Sequence, residues 1–384
     1  KHGQFESNCL FLFQLCAANI LQEGPGGWKI LPAAAAGRNG ARKGNPMGKL
    51  NLVMSLLIAR APEPVAAAWF VGRRKVVDGR RIDAKAQALG ELFNTVRVPG
   101  VTPTLAESRR SLQILAQKFD IPSPPGVTTR DLTLAGCPAR LYDTQPQASN
   151  RPTLLYIHGG GWVQGGIDTH DGLCGQIALD AGIRVISLDY RLAPEHKFPA
   201  GPDDVLAACR ALIAAPQDWG VDPQRLAVGG DSAGGNLTAV LMHDLAAAGE
   251  ARPKLQVLIY PAVDGRMNTG SMQALRHAYV LPRDRIEWYM DQYLPQGQDR
   301  MDPRVSPIAS PYLAGQPPAL ILHAGHDPLW DDAALYHQAL IGAGVPSTLL
   351  AFPGQVHAFV SARRAIPQGV QATRAISDWL KARL

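Results

Sequence analysis

No stretch of the chain approaches about 18 uninterrupted apolar residues, which excludes a membrane-spanning helix and stable insertion into a bilayer. The five cysteines, Cys9, Cys16, Cys137, Cys174 and Cys209, are odd in number and irregularly spaced, and no C-x-x-C pair occurs. That usage excludes a disulfide scaffold and a cysteine zinc site, and it reads as free or buried thiols in a reducing, cytoplasmic compartment. Neither G-x-G-x-x-G nor a P-loop is present, which argues against a phosphate-cradling loop. Aromatic residues make up only 7% of the chain, and no block of Lys and Arg interleaves with them. The net charge of +6 therefore favours solubility and does not mark a nucleic-acid surface. What is abundant is apolar material, 46% of 384 residues, enough for one large α/β domain or two small ones.

Residues 1–46 differ in texture from the rest. They hold Lys1, Lys29, Arg38, Arg42 and Lys43 against Glu6 and Glu23, +3 of the net charge, together with Gly24-Pro25-Gly26-Gly27 and the run Ala33 to Ala36. They read as a leader or a loosely packed extension before Met47. The segment 47–61 mimics a short export signal, but Asn51 and Ser55 interrupt its apolar stretch.

From Val65 to Phe119 the apolar spacing is helical. After Pro122, Pro124, Pro125 and Gly126 the pattern changes to short apolar runs alternating with helical stretches, the signature of a mostly parallel sheet wrapped by helices. The runs are 154–157, 185–188, 226–228, 255–260, 319–322 and 349–352. Each is short and unalternating, as strands buried on both faces are. Residues 265–300 break the alternation and read as an insertion.

Ser232 is the only serine of the chain in G-x-S-x-G, as Gly230-Asp231-Ser232-Ala233-Gly234. A nucleophile displayed between a strand and a helix needs a strained backbone, and side chains two residues to either side would collide with it. Glycine at both positions removes the collision. Upstream, His158-Gly159-Gly160-Gly161-Trp162 follows the run at 154–157. Consecutive glycines let the backbone turn its amides toward a developing oxyanion, each such donor being worth about 3–4 kcal/mol. The donors expected are Gly160, Gly161 and Ala233, the last with a helix N-terminus behind it. His158 reads as an anchor of this loop.

A serine hydroxyl needs an imidazole beside it and a carboxylate to orient that imidazole. His357, in Gly354-Gln355-Val356-His357, follows the last strand run, and Asp327, in Gly325-His326-Asp327, follows the run before it. Both therefore stand on the sheet edge that carries Ser232 and Gly160. His323, His326, Asp331 and Asp332 match no common metal-ligand spacing. The two carboxylates read as caps of the helix that follows, and no metal or cofactor is expected. His196, His243 and His337 carry no motif, and the sequon at Asn236 lies on the helix after the elbow.

With these motifs on the page, residues 125–375 resemble the bacterial hormone-sensitive-lipase-like esterases, an α/β-hydrolase group with a His-Gly-Gly-Gly loop and a Gly-Asp-Ser-Ala-Gly elbow. The likeness extends to Asp189-Tyr190-Arg191-Leu192-Ala193-Pro194-Glu195, Phe198-Pro199-Ala200, Tyr260-Pro261-Ala262 and Asp302-Pro303-Arg304-Val305-Ser306-Pro307. It implies an α/β-hydrolase fold over 127–264 and 301–384, with a helical cap from 47–126 and the insertion 265–300. It also implies a Ser232–His357–Asp327 triad acting on short-to-medium acyl esters with water as co-substrate, and a homodimer. Gln355 and Ala358 depart from the apolar residue and glycine frequent in that loop. Amidase or acetyl-ester deacetylase activity would use the same triad. A ligand receptor on this fold would lack the histidine that this chain retains.

Overall fold

The computed structural model describes residues 54–55, 57–96 and 103–384. The leader, Met47, Cys9 and Cys16, and most of the export-like segment lie outside these residues. Eight strands form one sheet in the order β10-β9-β8-β7-β5-β6-β4-β3. These are β3 (Thr128–Leu134), β4 (Cys137–Asp143), β5 (Arg151–Ile157), β6 (Arg184–Leu188), β7 (Val221–Asp231), β8 (Leu255–Ile259), β9 (Ala319–His326) and β10 (Ser347–Val356). From β6 through β10 all neighbours pair in parallel, whereas β3–β4 and β4–β6 are antiparallel.

The period of two along each strand sends alternate residues to opposite layers. Leu154 and Tyr156 of β5, with Val185, Ala227 and Leu322, face the helices Ile167–Ala181 and Pro367–Lys381. Leu155 and Ile157, with Ile186, Leu226 and Val228, face Ala200–Ala214 and Ala233–Ala247. Both faces are dry, which is why these runs do not alternate with polar residues in the sequence.

All six apolar runs are strands. The helical spacing over 65–119 resolves into three helices with a hairpin that the spacing does not announce. Helix α1 (Glu63–Trp69) is followed by a two-stranded hairpin, β1 (Val76–Val77) and β2 (Arg80–Arg81), before α2 (Ala84–Val96) and α3 (Leu105–Phe119). The hairpin turns on Asp78-Gly79, both at positive φ (48° and 76°), the backbone a two-residue β-turn requires. Helix α3 starts on a reciprocal capping box: Thr104 Oγ1 accepts from the Glu107 amide, and the Glu107 carboxylate accepts from the Thr104 amide at 2.9 Å. The segment 265–300 holds two helices, Gly270–Ala274 and Arg283–Tyr293. Among the described residues no helix is long and apolar enough to cross a membrane.

Candidate active site

Parallel strands deliver their carboxyl ends to one edge, and the predicted residues lie along it in strand order. His357 follows β10, Asp327 follows β9, Ser232 follows β7, and the glycine loop follows β5. Ser232 has φ 56° and ψ −115°, a strained conformation for a residue with a side chain. Its amide is held by the Ile259 carbonyl at 2.8 Å. A Cβ on Gly230 or Gly234 would overlap the Ile157 carbonyl, so both glycines are required where the elbow crosses β5.

The imidazole of His357 bridges the other two groups. Its Nδ1 lies 2.6 Å from Asp327 Oδ2 and its Nε2 lies 2.9 Å from Ser232 Oγ. Asp327 is fully buried, and its second oxygen accepts from the Leu329 amide at 3.0 Å. A carboxylate can only accept, so it fixes the proton on Nδ1 and leaves Nε2 free to take the serine proton. The Tyr260 ring, 4.6 Å away centroid to centroid, packs against the imidazole.

The loop after β5 turns through three successive positive φ values: Gly160 at 124°, Gly161 at 62° and Trp162 at 60°. Trp162 is held there by stacking on Tyr293, 4.5 Å apart and nearly parallel. Among the described residues the amides of Gly160, Gly161 and Ala233 have no hydrogen-bond acceptor. Backbone amides without a partner are the kind of donor that a developing oxyanion uses.

Asp231 ties this loop to the elbow. Its Oδ1 accepts from the Gly159 amide and from Tyr156 Oη, both at 2.8 Å, and lies 3.1 Å from His170 Nε2. Burial alone would raise its pKa. The charge of His170 and these hydrogen bonds outweigh burial and bring it down to about 2. The same carboxylate holds His170 above the ordinary imidazole range despite its burial. A Cβ on Gly159 would overlap the Asp231 carboxylate, so the first glycine serves this clamp. His158 is fully buried, stacks on Tyr190 at 4.4 Å, and its Nδ1 lies 2.8 Å from the Gly159 carbonyl oxygen.

The reading of Asp331 and Asp332 as helix caps is corrected. The helix Trp330–Gly342 has Leu329 at its N-cap with no side-chain cap. Asp331 accepts from the Ser271 amide at 2.7 Å and Asp332 from the amides of Val263 and Asp264, tying that helix to the segment after β8. Burial raises Asp332 to about 8, against the two backbone amides that lower it. His323 stacks on Trp330 at 3.5 Å, and burial pushes His326 down to about 4. His243 bonds Tyr336 Oη at 2.8 Å and Tyr312 O at 3.2 Å.

Other residues at the site carry no motif. Tyr289 lies over Gly161, where a Cβ would strike its ring, and its hydroxyl accepts from Gln164 Nε2 at 2.8 Å. Gln164 Oε1 in turn accepts from Ser108 Oγ of α3, and Arg285 donates to Ser108 while covering the Trp288 and Tyr289 rings. These contacts join segments about 60 to 180 residues apart in sequence, so no local spacing announces them.

Comparison with known proteins agrees with this geometry. A family model for the alpha/beta hydrolase fold matches residues 154–361. The chain is similar to an ethyl acetate hydrolase of Pseudomonas putida, 43% identical over 66% of this chain and 82% of that one. It is also similar to a carboxylic ester hydrolase, LipN, of Mycobacterium tuberculosis, 38% identical over 78% of this chain and 82% of that one. Among solved structures, an ester hydrolase from the metagenome of Lake Arreo superposes with a TM-score of 0.73 at 36% identity, over 78% of this chain and 98% of its own. An esterase of Pyrobaculum calidifontis superposes with a TM-score of 0.69 at 33% identity, over 77% and 97%. The row of strand-end residues, the strained serine and these relatives together show that the chain belongs to the α/β-hydrolase fold family, among its hormone-sensitive-lipase-like esterases.

Proposed function

We propose that the chain hydrolyses short-to-medium acyl esters through an acyl-enzyme on Ser232. The carrying observation is one imidazole within hydrogen-bond reach of both Ser232 Oγ and Asp327 Oδ2. Nε2 of His357 takes the hydroxyl proton as Oγ attacks the ester carbonyl, and Asp327 stabilises the imidazolium that forms. The carbonyl oxygen becomes an alkoxide held by the amides of Gly160, Gly161 and Ala233. On collapse the bond between the acyl carbon and the alcohol oxygen breaks, and His357 returns its proton to that leaving oxygen. Water, deprotonated by the same nitrogen, then attacks the acyl carbon; the bond from that carbon to Oγ breaks, His357 returns the proton to Ser232, and the carboxylic acid leaves.

Residues 47–126 and 265–300 form the cap in this reading, above a hydrolase core of 127–264 and 301–384. The contacts of Ser108, Arg285 and Tyr289 with the oxyanion loop support that division. The relative named for ethyl acetate hydrolysis supports a small acyl group. A cytoplasmic location is supported by the free, buried thiols of Cys137, Cys174 and Cys209. Light scattering checks the homodimer that the resemblance implies.

The test is Ser232→Ala against p-nitrophenyl acetate. Loss of kcat by about 10⁴-fold or more with an unchanged circular-dichroism spectrum is expected. Turnover within about tenfold of the parent would overturn the assignment.

A further inference from the structure

The three strands that carry the triad are fixed by the sheet, but the carboxyl ends of β9 and β10, whose mutual register shifts between Phe352 and Val356, also need holding. Both are gripped from outside the sheet by one short N-terminal segment. On β2, Arg80 Nε donates to the Gly325 carbonyl at 2.9 Å, and its own carbonyl lies 3.1 Å from His326 Nε2. Its guanidinium covers the Trp330 ring at 4.8 Å. These contacts immediately precede and follow Asp327.

Three residues further on, Asp83 grips the end of β10 twice. Its amide donates to the Gly354 carbonyl at 2.8 Å, and its Oδ2 accepts from Gln355 Nε2 at 2.6 Å. The carboxylate fills the space beside Gly354 so closely that a Cβ there would overlap it. Gln355 is 1% exposed, so its side-chain amide cannot exchange this partner for water, and it stands two residues before His357. Asp83 is the partner of this buried amide.

The segment is itself anchored. Gln87, one turn along α2, accepts from the Lys75 amide and donates to the Arg73 carbonyl, each at 3.1 Å, and Lys85 donates to the carbonyls of Ala59 and Ala61. A strap fixed at both of its own ends can hold the acid and base loops in register with Ser232.

We infer that Asp83 is a positioning residue for the proposed reaction, holding the His357 loop through Gln355 and Gly354. The inference rests on the triad reading above. It acts by geometry: a displaced imidazole no longer meets Ser232 Oγ, and misplacement by about 1 Å can cost about 100-fold in rate.

The experiment compares the full-length chain with Asp83→Ala, Asp83→Asn and Gln355→Met on p-nitrophenyl acetate, with Ser232→Ala beside them. The rate of stoichiometric inactivation by a p-nitrophenyl phosphonate is measured in parallel. Asp83→Ala and Gln355→Met are expected to lower kcat by about 10- to 100-fold with KM changed less than about threefold, and to slow phosphonylation to the same degree. Asp83→Asn keeps an oxygen that accepts from Gln355, so kcat within about threefold of the parent is expected. The double variant Asp83→Ala/Gln355→Met should lose no more than the worse single variant. A folded Asp83→Ala with kcat within about twofold of the parent, or multiplicative losses in the double variant, overturns the inference. Should Asp83→Ala fail to fold, Gln355→Met decides by the same kcat criterion. Activity in Ser232→Ala would instead sink the triad reading on which the inference rests.

Discussion

Individual residues carry the strain of the site. Ser232 holds a positive φ that costs energy for any residue with a Cβ, and the hydrogen bond from its amide to Ile259 helps to hold it. Gly161 is the clearest case of a residue type demanded by position. Its φ of 62° disfavours a side chain, and a Cβ would meet the Tyr289 ring. Gly161→Ala should therefore displace an amide proposed for the oxyanion and lower kcat by about 100-fold, with KM little changed. Steady-state kinetics on a p-nitrophenyl ester checks it, and unaltered kcat would remove Gly161 from the donor set. At this scale the sequence was most legible, because Gly-x-Ser-x-Gly and three consecutive glycines are local answers to local steric problems. Asp231, by contrast, reads in sequence only as the variable letter of the elbow. Its partners Gly159, Tyr156 and His170 are more than 60 residues away in the chain.

Between elements, buried polar clamps set the register. Asp231 at the end of β7 joins Tyr156 on β5, the glycine loop, and His170 on the helix Ile167–Ala181. Its pKa is depressed from 3.8 to about 2, so its contribution to stability is complete above the unfolded value and is lost as pH falls through about 2. The size is on the order of 2 kcal/mol. His170 is raised, so its share is complete below the ordinary imidazole pKa and fades as pH rises through the raised one. The stability difference between the parent and Asp231→Asn, measured by urea denaturation, should be widest near pH 5 to 6 and narrow toward both pH 2 and alkaline pH. A difference independent of pH would contradict the clamp. Elements are legible where their pattern is simple: the six apolar runs are the strands β5 to β10. The antiparallel β3 and β4 carry no such run: most of β3, Thr-Thr-Arg-Asp-Leu-Thr-Leu, is exposed, and β4 sets Pro138 and Arg140 between its buried residues. The hairpin β1–β2 carried a signal in Asp78-Gly79, but two-residue strands are too short for periodicity to register.

For the whole molecule, the sheet acts as a jig. Strand order brings residues from positions 159 to 357 to one edge, and the elements that contact the triad loops from outside come from the N-terminal segment and from 265–300. The fold class and the row of strand-end residues were visible in sequence because they follow from alternating strands and helices. The contacts from outside the sheet were not, because each is a single long-range pair such as Asp83–Gln355 or Gln164–Tyr289. The buried free thiols fit this picture of a dense interior: burial drives Cys137 to about 11 and Cys209 to about 12, so neither presents a thiolate.

The central claim is that an ester's acyl group passes through a covalent bond to one hydroxyl. Rapid acid quench of the enzyme turning over p-nitrophenyl acetate, followed by peptide mass spectrometry, tests it most directly. The account predicts one acetyl group per chain, on Ser232, and none in Ser232→Ala. Steady turnover with an acetyl group on another residue, or with none trapped under conditions where a product burst is seen, would contradict it.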